Sequence, residues 1–365
     1  MRIAYVSDVM YPWVKGGAEK RIWEIAKRIA NNHDVHVFTM KWWEKDSDIL
    51  NKENITIHGI SPKKRLYSED RRSIKEAIYF TTHLLKLEKG FDIYDFNQFP
   101  YIPAFLGKLK TLNSETKLVI TWHEFWGDYW YDYLGRLGFF GKNIEKMVSH
   151  LPDEIISVSE LTKRKLENIG QDSVVIPNGI DLKEIKETKR SDKEYDIIYI
   201  GRLIKEKNVD ILLKALKSTD YSLCIVGKGP MERKLKEISN DLQIDVDYYK
   251  DIPYSELIGY LKSSKVSVQP SSREGFGITV LESMAAKTPV ITVNEPDNAA
   301  KNLINGKNGK VTQLNENKIR RKLTELLENK DKLDEMGSYG REFAQKFSWD
   351  SIAERTSSFY ESMLS

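Results

Sequence analysis

The chain has 365 residues, a formal net charge of +3, a hydrophobic fraction of 40% and one cysteine, Cys224. That length predicts two domains with a core each, and so small a charge gives no ground for a nucleic-acid partner. A single cysteine excludes an internal disulfide and a cysteine-rich metal site and suits a reducing cytosol.

Met1-Arg-Ile-Ala-Tyr leads directly into a strand with no signal-peptide core, and no apolar run of about 18 residues occurs, so a cytoplasmic chain that does not span a membrane is expected. After the strand Arg2–Ser7 come a loop, Asp8 to Lys15, and Gly16-Gly17-Ala18-Glu19. The helix predicted over Ala18–Ala30 carries Ile22, Ile25, Ala26 and Ile29 on one stripe. Further short apolar strands are predicted at Val35–Thr39, Ile55–Ile60, Asp92–Phe96, Leu118–Trp122, Glu154–Val158 and Val174–Ile176. Continuous apolar strands alternating with helices argue parallel sheets covered on both faces.

Two stretches of this half depart from a tidy surface. Ser61 to Gly90 holds eight basic residues (Lys63, Lys64, Arg65, Arg71, Arg72, Lys75, Lys86, Lys89) against four acidic ones (Glu69, Asp70, Glu76, Glu88). Its helical part carries Ile74, Ile78, Leu84, Leu85 and Leu87 and reads as a solvated helix face. Phe125 to Phe140 is strongly aromatic, with Trp126, Trp130, Phe139 and Phe140. Besides a packed aromatic cluster, two uses stay open for it: stacking on a sugar acceptor, or resting in a lipid interface.

The break at Pro177-Asn178-Gly179, followed by the charged run from Lys183 to Glu194, divides the chain into 1–177 and 178–348. Strands restart at Ile197–Ile200, Leu223–Val226, Val246–Tyr249, Val266–Gln269 and Val290–Val293. The first of these runs into Gly201-Arg202-Leu203-Ile-Lys205-Glu206-Lys207-Asn208, a glycine turn with cations opening a helix. The second runs into Gly227-Lys228-Gly229-Pro230, for which a tight strand-to-helix turn is nearly sufficient explanation. The fourth ends at Pro270 and continues Ser271-Ser-Arg-Glu274-Gly275-Phe276-Gly277-Ile278 into a helix that bears Glu282. Amides at such a helix start favour an anion, and the two glycines admit a ligand close to the backbone. Two carboxylates around an anion-binding turn fit a group with hydroxyls at both ends and phosphate between them, which describes a nucleotide-sugar. Segment 349–365, preceded by the N-cap candidate Ser348, is predicted as a last helix.

Taken in order, these segments resemble the retaining glycosyltransferases of family GT4, which have the GT-B fold. The resemblance rests on Gly16-Gly17-Ala-Glu, His123 at a strand end, Pro177-Asn178-Gly179-Ile-Asp181, Gly201-Arg202-Leu203…Glu206-Lys207, Gly227-x-Gly229-Pro and Glu274-x7-Glu282 around Gly275-Phe276-Gly277. It implies an α/β chain of two Rossmann-like doubly wound domains facing a central cleft. Domain 1–177 would bind the acceptor, with Trp126 and Trp130 on that side, 178–348 the nucleoside-diphosphate sugar, and 349–365 would pack back on the first. By the same resemblance Arg202 and Lys207 clamp the diphosphate, Glu274 holds the sugar, Glu282 the ribose, and the Phe276, Gly277 and Ile278 amides add contacts. Gly16, Gly17, Gly201, Gly227 and Gly229 approach the donor, and His123 lies near the reacting centre. The cations would stand in for a metal, so none is expected, and the leaving phosphate would take the acceptor proton.

Asn208 replaces the family's glycine and is read as an N-cap, and Val293 to Ala300 departs from the usual Gly-Gly-x-x-Glu, which puts base and sugar contacts in doubt. The acceptor would be a sugar or a lipid-linked sugar, in the second case with the chain peripheral at the inner membrane face. The rivals are a GT-B nucleotide-sugar epimerase and a catalytically silent sugar-nucleotide-binding subunit.

Overall fold

Short β-branched runs buried on both faces build two parallel sheets, one in each of two units: Met1–Asn178 together with Trp349–Ser365, and Gly179–Ser348. The computed structural model describes residues 1–44, 46–68 and 71–365. Of the charged stretch read above, Glu69, Asp70 and the side chain of Arg71 lie outside what is described.

The first unit has strands β1 (Arg2–Val6), β2 (Asp34–Lys41), β3 (Ile49–Lys52), β4 (Ile55–Pro62), β5 (Tyr67–Ser68), β6 (Arg71–Arg72), β7 (Ile93–Asn97), β8 (Lys117–Trp122), β9 (Glu154–Ser157) and β10 (Val174–Val175). Its helices are α1 (Gly17–Ile29), α2 (Ile74–His83), α3 (Ile102–Thr111), α4 (Tyr129–Leu134), α5 (Gly138–Ser149) and α6 (Glu160–Glu167). The eight-stranded sheet runs β10-β9-β8-β7-β1-β2-β4-β3. One departure from the expected parallel sheet is β3, which pairs antiparallel with β4. Its sequence, Ile-Leu-Asn-Lys, is mostly exposed, so it suits an edge and gives no buried-strand signal. β5 and β6 form a small antiparallel ladder that the apolar pattern did not announce.

The second unit has α7 (Leu182–Glu187), β11 (Tyr195–Ile200), α8 (Val209–Ala215), β12 (Leu223–Val226), α9 (Glu232–Asp241), β13 (Val246–Tyr249), α10 (Tyr254–Lys262), β14 (Ser264–Gln269) and β15 (Arg273–Glu274). Then come α11 (Ile278–Ala285), β16 (Val290–Val293), β17 (Asp297–Asn298), β18 (Gly309–Thr312), α12 (Glu316–Leu327) and α13 (Lys330–Ala344). Its six-stranded sheet, β13-β12-β11-β14-β16-β18, is parallel throughout. The chain then re-enters the first unit as α14 (Trp349–Ser362), after an extended Ser348 (φ −66°, ψ 143°).

α1 buries the predicted stripe of Ile22, Ile25, Ala26 and Ile29 against β1 and β2. α14 joins that core through Trp349, Ile352 and Tyr360, and Arg28 of α1 reaches Asp350 at 2.5 Å. The other face of the sheet is covered by an aromatic cluster that includes Phe80, Tyr94, Phe96, Tyr101, Trp122 and Trp130. In the second unit Leu212, Leu213, Leu323 and Leu326 close over Ile197, Ile225 and Val268. Among the described residues no helix is long and apolar enough to cross a membrane.

Candidate functional site

In a doubly wound sheet the ligand crevice opens at the carboxyl ends of the strands where the order reverses. In the second unit those strands are β11 and β14. The loops that leave them are stitched together through backbone carbonyls. The Glu206 carbonyl accepts from the Ser272 N–H at 2.9 Å and from its hydroxyl at 3.1 Å. Asn208 Nδ2 donates to Pro270 O at 3.0 Å and to Glu206 O at 3.1 Å. Asn208 is left-handed (φ 50°, ψ 36°), and it does not cap α8 with its side chain as expected. It stands in the family's glycine position because asparagine tolerates that conformation, while its amide is engaged by the neighbouring loop.

This stitching brings residues 67 positions apart together: Lys207 Nζ lies 2.5 Å from Glu274 Oε2, with the side chains 15% and 29% exposed. Arg202 is exposed and, among the described residues, has no carboxylate partner. The buried Tyr199 hydroxyl donates to Arg202 O at 3.0 Å. Burial and then the Glu274 charge push that phenol up, while Arg202 draws it down, so Tyr199 stands between the two charges.

Glu274 is held in a ladder the sequence did not suggest, β15 pairing parallel with β17 so that Glu274 faces Asn298. Asn298 is fully buried, donates to Val293 O at 2.8 Å and Thr292 Oγ1 at 3.1 Å, and accepts from Ala300 N at 3.1 Å. The segment that departs from the family pattern is therefore the support of Glu274's backbone. Gly275 links β15 to the turn, and Phe276 buries its ring against Phe347, the two ring centroids 6.2 Å apart.

Gly277 is left-handed (φ 101°), and a Cβ there would lie 2.6 Å from Ala300 Cβ, so only glycine fits. It brings no side-chain cap to α11, which Ile278 opens. One turn further, Glu282 is buried, and its Oε1 accepts from the Tyr254 hydroxyl at 2.7 Å. Burial, then Glu282, hold that hydroxyl far above the usual phenol range. Tyr254 and Tyr199 were not singled out from sequence, since neither belongs to a glycine turn or a charged motif.

Three glycines read as donor contacts have a nearer explanation. A Cβ at Gly227 would collide with Gly201 O, one at Gly229 with Leu203 O, and one at Gly201 would meet Tyr199 Oη at 2.7 Å. The turns after β11 and β12 pack backbone on backbone, and that packing by itself requires glycine at Gly227 and Gly229.

In the first unit Gly16 is the extended residue before α1 and Gly17 opens the helix. One turn on, buried Arg21 donates through Nη1 to Pro177 O at 2.6 Å and Asn178 Oδ1 at 3.2 Å, which anchors the Pro177-Asn178 segment on α1. His123 leaves β8 with its N–H donating to Gln98 Oε1 at 2.5 Å, and Gln98 Nε2 donates to Glu124 O at 2.5 Å. Gln98, buried beyond β7, was missed because a lone glutamine in a loop carries no pattern. His123 also lines a cavity of about 10 Å³, with Tyr5, Arg21, Asp95 and Thr121. That is room for about one water. Burial, and next the Arg21 charge, push the imidazole down to about 3, so His123 is neutral near pH 7.

The aromatic stretch divides. Trp130, expected on the acceptor side, is buried, and the reason is Glu145, a fully buried carboxylate of α5. It accepts from the Tyr101 hydroxyl, the Trp126 and Gly127 amides (2.8 Å each) and Trp130 Nε1 (3.2 Å). Trp126 is half-buried, tilted against Trp130 at 4.7 Å. Phe139 and Phe140 are exposed on α5. In the basic stretch Lys63, Lys64 and Arg65 are exposed, but Arg72 is drawn inward, its guanidinium on the buried Asp8 carboxylate and 3.6 Å from Glu76. Of the apolar residues of the stretch, Leu84 and Leu87 are core and Ile74, Ile78 and Leu85 are exposed.

Comparison with known proteins places this geometry. The family model described as Glycosyltransferase Family 4 matches residues 15–184, and the one described as Glycosyl transferases group 1 matches 181–343. An uncharacterized glycosyltransferase of Methanocaldococcus jannaschii is 25% identical over 98% of this chain and 97% of its own length. An alpha-monoglucosyldiacylglycerol synthase of Streptococcus pneumoniae is 26% identical over 81% of this chain and 72% of its own. The structure of HepE from Anabaena in complex with UDP-glucose superposes with a TM-score of 0.78 at 16% identity, over 99% of this chain and 100% of that one. The chain belongs to glycosyltransferase family 4 and has the GT-B fold.

Proposed function

We propose that this glycosyltransferase moves a hexosyl group, with retention of configuration, from a UDP- or GDP-sugar to a sugar or lipid-linked acceptor. The observation that carries the reading is the Lys207–Glu274 pair beside the exposed Arg202, where the second sheet reverses its strand order. A diphosphate leaving group gains negative charge as the glycosidic bond breaks, and cations fixed beforehand stabilise that charge with little reorganisation. Lys207 would exchange Glu274 for phosphate oxygens on donor binding, which frees the Glu274 carboxylate for the sugar's hydroxyls. Glu282, held by Tyr254, would accept from the ribose hydroxyls, and the uncapped amides at Gly277 and Ile278 would face the phosphates. Arg202 and Lys207 supply the positive charge, so the reaction would need no divalent metal.

His123, neutral, would offer a hydrogen bond rather than a charge. The UDP-glucose bound to HepE and the glycolipid product named for the S. pneumoniae relative favour a nucleotide donor and a glycan or glycolipid acceptor. Leu137, Phe140, Ile144 and Met147 form an exposed stripe on and before α5, flanked by the exposed Arg136 and Lys146. That charge and apolar pattern favours an anionic bilayer surface as a peripheral contact. Mutation of the two glutamates tests the donor reading. Glu282→Ala should cost about 2–3 kcal/mol in binding of free nucleotide and nucleotide-sugar alike, whereas Glu274→Ala should spare the free nucleotide. Wild-type turnover in both variants, or activity abolished by EDTA, would sink it.

A further inference from the structure

The first unit has a pocket that the donor chemistry does not use. It measures about 390 Å³, opens at the carboxyl ends of β2 and β4, and is lined by Lys41, Trp43, Asp48, Lys63, His83 and Lys86 among others. That volume falls in the range of small-molecule sites. Lys41 and Asp48 neutralise each other, Nζ lying 3.0 Å from Oδ1 and also donating to Asp46 O at 2.8 Å. This leaves Lys63 and Lys86, both exposed and, among the described residues, paired with no carboxylate. His83 donates its Nδ1–H to Tyr79 O at 2.8 Å, so Nε2 is the ring nitrogen left for a ligand.

The apolar wall is built. Trp43 is buried to 7% exposure and its Nε1 donates to Ser47 O at 2.9 Å. Gly59 lies under it in β4, where a Cβ would come within 2.8 Å of Lys41 Cβ and 3.0 Å of Trp43 Cη2. A strand-interior glycine marks such a close approach. Trp43 also packs on Trp13 at 5.6 Å, in the loop that leads to Gly16 and Gly17. The tryptophan that walls the pocket thus also touches that loop.

We infer that this pocket is an acceptor subsite for a phosphate group carried on a sugar, a reading that rests on the glycosyltransfer proposed above. Two lysines left without a carboxylate among the described residues, together with a histidine ring, suit a phosphate better than a carboxylate, because two point charges match a group that carries up to two negative charges and three acceptor oxygens. The volume leaves room for the sugar beside the phosphate, with Trp43 as its apolar wall. The phosphate could belong to a free sugar phosphate or to a lipid-linked saccharide; the chemistry recognised is the same.

The test follows the Trp43 indole N–H by NMR, assigned with Trp43→Phe, as inorganic phosphate or glucose 6-phosphate is added. Sedimentation with phosphatidylcholine vesicles, with and without a polyprenyl phosphate, supplies the lipid arm. A saturable shift, weakened at least tenfold in Lys63→Glu/Lys86→Glu at unchanged UDP or GDP affinity and unchanged Tm, is the expected result. Tighter binding of glucose 6-phosphate than of phosphate assigns a free acceptor, and recruitment only to the doped vesicles assigns a lipid-linked one. No saturable shift, a shift undiminished in the double variant, or no gain from either carrier over inorganic phosphate overturns the inference. Loss of nucleotide binding with the phosphate response intact would instead sink the donor reading and leave the pocket standing.

Discussion

Tyr254→Phe removes one oxygen and isolates the support of Glu282. The hydroxyl donates to Glu282 Oε1 at 2.7 Å, and the carboxylate is only 6% exposed, so water does not readily replace the lost donor. Hydrogen bonds to charged groups contribute about 1.5–3 kcal/mol net. If the bond persists equally with and without ligand, the loss appears as stability, and a Tm decrease of roughly 3–6 °C follows for a protein of this size. If the bond chiefly holds Glu282 ready for the ribose, the loss appears as affinity, and the nucleotide Kd rises about 10- to 100-fold. Calorimetric melting and titration with UDP and GDP divide the total between these two outlets. In a Glu282→Ala background Tyr254→Phe should have no further effect on nucleotide affinity, because the partner is gone. A Tyr254→Phe protein with unchanged Tm and unchanged nucleotide affinity would refute the argument.

Glu145→Ala leaves four donors unmet around Trp126 and Trp130, so a stability loss of at least about 3 kcal/mol and a changed near-ultraviolet signal are expected; an unperturbed aromatic signal would contradict the role given to Glu145. Asn208→Ala keeps a left-handed residue without its two hydrogen bonds and should cost about 2–3 kcal/mol, whereas Asn208→Gly relieves the backbone and should cost less; denaturant midpoints in the reverse order would be inconsistent with the bridging geometry. Asp95 is buried under Tyr360 (2.5 Å) and Thr121, and burial pushes it up to about 6. The folded state therefore keeps a proton that the unfolded chain releases near pH 4, and stability from this group is fully present below pH 4 and is lost as pH rises to 6, by about 3 kcal/mol. Urea unfolding of wild type and Asp95→Asn should diverge across that window; parallel curves would refute the shift.

The glycine turns, the Glu274-x7-Glu282 spacing and the apolar strands were legible because each is a local pattern. A turn needs glycine where its own backbone bends, and a buried strand needs a continuous apolar run. What those patterns did not contain were the partners. The Lys207–Glu274 contact depends on Asn208 and Ser272 binding the two loops together, and the Tyr254–Glu282 bond joins two helices whose separation in sequence carries no signal. The glycines at Gly227 and Gly229 were visible, but not that a neighbouring turn fills the space their missing side chains leave.

Composition alone also misjudged the aromatic stretch, since a tryptophan reads the same on a surface as in a core. Burial of Trp130 was decided by a carboxylate fifteen positions away that accepts its indole N–H. The sequence by itself determined the parallel strands of the two sheets, though not the antiparallel edge strand β3, together with the glycine turns at the strand ends and the chemistry of the charged residues placed there. Tertiary structure decided which of those charges meet, because a side chain's partner is set by where loops dock in space, and docking is fixed by hydrogen bonds between residues far apart in the chain.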